Sequence, residues 1–142
     1  MVLTKEATLE KSQVTTLLNS FLKQFQNASS NTNPPNAAEF ERLLSRNFQI
    51  SINGKTVEKN LDNYLNRIQK LQKKYSQIKV SNLLEEPLIS NNKATIQFEI
   101  SLTPRNGPQI QLHAMAIATI ENNKITEWKQ VSSEKGLNHL DS

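Results

Sequence analysis

Two runs in the second half of the chain place an apolar residue at every second position. Ala94, Ile96, Phe98, Ile100 and Leu102 alternate with Thr95, Gln97, Glu99, Ser101 and Thr103. Ile110, Leu112, Ala114, Ala116, Ala118 and Ile120 repeat the pattern after the loop Pro104-Arg105-Asn106-Gly107-Pro108. Successive side chains of a strand point to opposite faces, so a period of two means one buried face and one wet face. Two long strands of this kind need something apolar to cover them, and the first half of the chain has to supply it.

It supplies helices. Val14, Leu17, Leu18, Phe21, Leu22 and Phe25 recur at steps of three and four, which predicts a helix over about 8–26 with one apolar stripe. A polar stretch over 26–36 ends in Pro34-Pro35 and reads as a loop. Asn36 then has the character of an N-cap, with Glu39 three residues on, and a short helix with Phe40, Leu43 and Leu44 on one side is expected. Phe48, Ile50 and Ile52 alternate as a strand, and Asn53-Gly54 signals a tight reversal. Leu61, Tyr64, Leu65, Ile68 and Leu71 mark a third amphipathic helix capped by Asn60. Beyond it, a strand region over 78–89 is broken at Glu85-Glu86-Pro87. Asn122-Asn123 turns the chain into a last strand over 124–133, and 134–142 reads as a polar tail. Helices first and strands after is an α+β plan in one domain spanning 1–142, with a core over about 8–133 and helices on one face of the sheet.

Composition removes several functional classes. With 142 residues the chain can bury a real core. It has no cysteine, so thiolate chemistry, disulfides and cysteine-ligated metals drop out. No apolar run reaches membrane-span length, no signal-peptide core is visible, and a cytoplasmic location is expected. No pair of histidines stands at ligand spacing and the three glycines are isolated, so neither a metal site nor a phosphate loop is expected, and no cofactor. The net charge is +4. Lys55, Lys59, Arg67, Lys70, Lys73, Lys74 and Lys79 face only Glu58 and Asp62, so this segment alone carries +5. Accessible aromatics do not interleave with these charges, which makes nucleic-acid binding a poor fit and a solvated helix face the simpler reading.

The order of these elements resembles that of the nuclear transport factor 2-like superfamily, which includes ketosteroid isomerase-like and SnoaL-like proteins. The resemblance runs over about 8–133. It is carried by the long first helix, by Arg46-Asn47-Phe48-Gln49-Ile50-Ser51-Ile52-Asn53-Gly54, and by the turn and strand Asn122-Asn123-Lys124-Ile125-Thr126-Glu127-Trp128. It implies a cone-shaped domain: a curved antiparallel sheet wrapped around the long N-terminal helix, with two further helices and an apolar pocket. The superfamily contains isomerases, dehydratases, polyketide cyclases and epoxide hydrolases, along with members that bind proteins or have no known activity. A fold with so many uses does not predict one.

Enzymes of this fold place an ionisable group inside the cone, where burial shifts its pKa toward neutrality. Cyclase-like members carry an acid eight residues after the position of Ile125, where this chain has Ser133. Isomerase-like members carry one near Ala116. Both departures count against those mechanisms. The remaining catalytic candidates are Glu127, Glu99 and His113. Glu127 enters the cone only if its face of the last strand points inward, which a single bulge decides; otherwise it pairs with Lys129. Glu99 has the parity of the polar face, and His113 lies opposite the alanines. Ala114, Ala116 and Ala118 either let a helix pack closely or leave a cavity whose walls would include Phe98, Ile100, Leu112 and Trp128. Met115 and Ile117 are apolar on the outer face and point to a homodimer formed through the sheet. The expectation is a domain that binds a small apolar molecule, enzymatic activity not established. The alternative is a non-catalytic interaction module acting through its sheet face or its basic third helix.

Overall fold

The computed structural model describes residues 9–135. Three helices and seven strands follow one another as α1 (Lys11–Ser29), α2 (Ala37–Glu41), β1 (Leu44–Ile52), β2 (Lys55–Glu58), α3 (Leu61–Lys74), β3 (Tyr75–Val80), β4 (Leu88–Ser90), β5 (Lys93–Pro104), β6 (Ile110–Glu121) and β7 (Lys124–Glu134). The strands form one strongly curled sheet in the order β2-β1-β7-β6-β5-β3, with β4 on the other part of β5. All neighbours pair antiparallel except β1 and β7, which run parallel.

Helix α1 runs further than its apolar stripe, into the stretch that reads as loop. Ser29 is buried at its end and donates its hydroxyl to Phe25 O at 2.6 Å, which secures the last turn. Asn36 caps α2 by accepting from Ala38 N at 3.0 Å. That helix stops at Glu41, so Leu43 lies outside it and Leu44 opens β1, where it is buried as a strand residue. Asn60 caps α3, accepting from Asn63 N at 2.8 Å. Asn53 and Gly54 both have positive φ, 50° and 86°, as a two-residue hairpin turn requires. The strand returning from this turn, β2, is too short and polar to show in the hydrophobic pattern. Glu134 belongs to β7 and Lys135 N donates to Gln111 O at 2.8 Å, so these two residues extend the sheet. The rest of the polar tail lies outside the described residues.

Large rings on β5 and β7 stand beside small residues on β6. Phe98 is the cross-strand neighbour of Ala114, and Trp128 is the neighbour of Ala118. Above them lies Phe21 of α1, its ring edge-on to Trp128 at 4.8 Å and to Phe48 at 6.0 Å. Tyr64 of α3 meets Phe48 at 5.1 Å and Phe40 at 6.0 Å. Both helices and the concave side of the sheet are joined through this one aromatic cluster.

The last strand reaches it through a bulge. Thr119 pairs with Glu127 and Ile120 with Ile125, leaving Thr126 as the extra residue. Its hydroxyl donates to Thr119 O at 3.3 Å. One extra residue reverses the alternation, so Ile125 and Trp128, three positions apart, are both buried, at 0% and 1% exposure.

Removing the central ring by Phe21→Ala leaves a cavity that three neighbouring aromatic residues cannot collapse into. The expected cost is about 3–5 kcal/mol. Urea unfolding followed by Trp128 fluorescence measures it; a loss of under about 1 kcal/mol would show that the cluster does not hold the helix to the sheet.

Candidate functional site

The open end of the cone holds a cavity of about 190 Å³. Its floor and walls come from every layer of the fold: Phe21, Leu22 and Phe25 from α1, Ile50 and Ile52 from β1, Tyr64, Arg67 and Leu71 from α3, Tyr75 and Ile78 from β3, and inward residues of β5, β6 and β7. Four wall positions expected from the strand pattern are among them: Phe98, Ile100, Leu112 and Trp128. Ala114, Ala116 and Ala118 are buried at 0%, 2% and 0% but do not border this cavity. Their small size makes room for the adjacent rings and leaves no void there.

The polar groups at the cavity are few. Trp128 donates Nε1–H to Gln130 Oε1 at 2.9 Å, which fixes the indole and aims the Gln130 amide at the cavity region it borders. Ser132, two residues further along the same face of β7, sits nearer the rim. Asn53 ties this part of β7 to the hairpin turn: its N–H donates to Gln130 O at 2.8 Å and its Oδ1 accepts from Ser132 N at 2.9 Å. Tyr64 is 2% exposed. Burial pushes its phenol pKa far above the ordinary tyrosine value, and the positive charge of Arg67 offsets this only in part. Tyr64 is therefore a neutral hydrogen-bond donor at any physiological pH. Arg67, one helical turn on, is half-buried at the cavity edge. Periodicity shows Tyr64 as a core residue and Arg67 as part of a basic face. The signal that could have joined them is their spacing of three, which puts both on one side of α3.

Among the described residues no Asp, Glu or His borders the cavity. Glu127 lies on the outer face beside Lys129, with their charged groups 3.8 Å apart, because the bulge at Thr126 turns Trp128 inward instead. Glu99 and His113 are cross-strand neighbours on that same outer face. Glu99 is hydrogen-bonded and ion-paired to Lys135, which holds its carboxyl below the usual range, with a lesser contribution from His113. Ser133 and Ala116 supply no acid, as their side chains dictate. Among the described residues no three His, Cys, Asp or Glu side chains come together as a metal would need. No described helix is long and apolar enough to cross a membrane.

The chain matches no family model and no curated protein by sequence. Its structure does match solved ones. An LEH-like epoxide hydrolase from M. tuberculosis superposes with a TM-score of 0.67 at 12% identity, covering 86% of this chain and 84% of that one. A protein described as a SnoaL-like polyketide cyclase, from Jannaschia sp. CCS1, gives 0.65 at 9% identity, covering 91% of each chain. A nuclear transport factor 2-like protein of unknown function from Exiguobacterium sp. 255-15 gives 0.66 at 14%, covering 82% of this chain and 98% of that one. The chain has the nuclear transport factor 2-like, SnoaL-like α+β cone fold. At these identities the likeness concerns the fold and not the chemistry.

Because pairing lowers the Glu99 pKa in the folded state, its contribution is present above the unfolded glutamate pKa and is lost as pH falls through the folded one. The pair is exposed, so the effect is small. The Tm of the wild type should exceed that of Glu99→Gln at about pH 7, and the gap should close by about pH 3. An equal gap at both values would mean that the carboxylate charge is not the cause.

Proposed function

We propose that this domain binds a small, largely apolar molecule in the mouth of its cone. The observation that carries the reading is the cavity itself: apolar walls from seven elements, with Tyr64, Gln130 and Arg67 among the lining residues. Binding sites for small molecules have this make-up, an apolar lining with a few placed polar groups. At about 190 Å³ the cavity is smaller than the roughly 300–1,000 Å³ of drug-sized sites, so the ligand is compact. The fold's enzymes move protons with an ionisable side chain in the cone. Here, among the described residues, neither a carboxylate nor an imidazole borders the cavity, and Tyr64 is held neutral. The reading is therefore of binding, without general-base catalysis by those groups.

Native mass spectrometry of the purified protein, set against its denatured mass, should show retained non-covalent mass. Leu112→Trp, which places an indole in the cavity wall, should weaken binding of any ligand so identified at least about tenfold, or about 1.4 kcal/mol. If a panel of small apolar compounds leaves the fluorescence of Trp128 unchanged, the cavity does not bind and the reading fails.

A second reading, self-association through the sheet, rests on a different observation. Met115, Ile117 and Val131 are 40%, 42% and 56% exposed on the outer face, and Met115 and Val131 are direct cross-strand neighbours. Apolar side chains clustered on a wet sheet face favour a covered surface, and a second copy of the same face is the proposed cover. Sedimentation over a wide concentration range should show a dimer in the wild type, and Val131→Lys should raise the dissociation constant by roughly tenfold or more. A monomer at every concentration rules the dimer out.

A further inference from the structure

The polar groups of the cone differ in charge in one way that a neutral ligand leaves unexplained. Arg67 is half-buried at the cavity, and among the described residues it makes no salt bridge and no hydrogen bond. The chain's other arginine with a described role in the fold behaves differently: Arg105 donates to the carbonyls of Gln72 and Lys73 at 2.7 and 3.1 Å, closing the end of α3. The Tyr64 hydroxyl also lacks a hydrogen-bond partner among the described residues. Tyr64 lines the same cavity as Arg67.

Resting on the reading of the cone as a binding site, we infer that its ligand is a compact carboxylate: an apolar body in the aromatic end of the cavity and a carboxylate held by Arg67 and Tyr64. Arg67 lines the cavity with no counter-charge among the described residues, and its planar fork of donors matches the two oxygens of a carboxylate. The tyrosine hydroxyl, kept protonated by burial, can only donate to an anion there. Among the described residues the lining holds no Asp or Glu that would compete for Arg67. Phe98 and Trp128, 5.8 Å apart, give the apolar body its wall. For scale, a cavity of about 150 Å³ lined by Leu, Ile and Phe holds one benzene. A six-membered ring or a chain of similar bulk therefore fits the body of the ligand. The duller role for Arg67 is that its methylene stem covers apolar surface while the guanidinium stays in water; this role predicts no preference for charge.

Trp128 is the one tryptophan of the chain and borders the cavity, so its fluorescence reads occupancy. The probes are phenylacetate and hexanoate, with phenylethanol and hexanol as neutral counterparts. The wild type should bind each carboxylate at least about tenfold more tightly than its alcohol. Arg67→Gln should abolish that preference, with a far-UV circular dichroism spectrum like the wild type's showing that the variant folds. Arg67→Lys should keep part of it, and Tyr64→Phe should weaken carboxylates more than alcohols. Acidifying through the ligand's own carboxyl range should remove the preference in the wild type. If both classes bind alike, or Arg67→Gln keeps the preference, the carboxylate inference is overturned and the binding site stands. If neither class binds, the binding site falls and takes the inference with it.

Discussion

The edge of the Phe21 ring against the Trp128 indole, 4.8 Å between centroids, is the contact on which the domain is built. It joins the first helix to the last strand, residues more than a hundred positions apart. Each ring then passes the contact on: Trp128 to Phe98 on β5, Phe21 to Phe48 on β1 and to Tyr64 on α3. A curled sheet cannot close over a helix with aliphatic side chains alone unless they fill its centre. Rings do this with few rotatable bonds, and edge-to-face packing adds to the burial of their area. The alanines of β6 belong to the same arrangement, because a third row of bulky side chains between Phe98 and Trp128 would push the helix off the sheet.

The cavity is what remains where that cluster ends. Toward the closed end the rings and alanines fill the cone. Toward the cavity the lining includes Ile52, Leu102, Gln130 and Ser132. Charge follows the same geometry. Carboxylates and His113 lie on the outer face, where water solvates them and Glu99 finds Lys135. Among the described residues the cavity lining carries a neutral phenol, an amide bonded to the indole, a serine and a guanidinium, but no carboxylate. Shape and electrostatics thus give the inner and outer faces of one sheet different chemistry.

Much of the framework was legible in the residues. The alternation of β5 and β6 predicts two long strands with Phe98, Ile100 and Leu112 inward, and the caps Asn36 and Asn60 mark their helices. Asn53-Gly54 and Asn122-Asn123 both turn with positive φ, as their side chains favour. Less visible were features that local pattern does not carry. Leu44 has the spacing of a helix residue, yet parallel pairing with Ile125 draws it into β1. Glu127 and Trp128 could each have faced inward; one extra residue at Thr126 decides between them. The alanines permit either a void or a close approach, and only the positions of the neighbouring rings choose the latter. Arg67 reads as one charge in a basic segment, and nothing in its neighbours says that it borders a cavity.

By itself, then, the sequence determined the α+β class, the order of elements, and which face of each long strand is apolar. These follow from periodicity, capping and turn chemistry, which act over a few residues. The tertiary structure alone decided the inward turn of Trp128, the placement of Glu127 on the outer face, and the meeting of Tyr64 and Arg67 with strands far away in the chain. Those outcomes depend on strand register and ring packing between distant segments, and no local pattern encodes the distance between residues that only folding brings together.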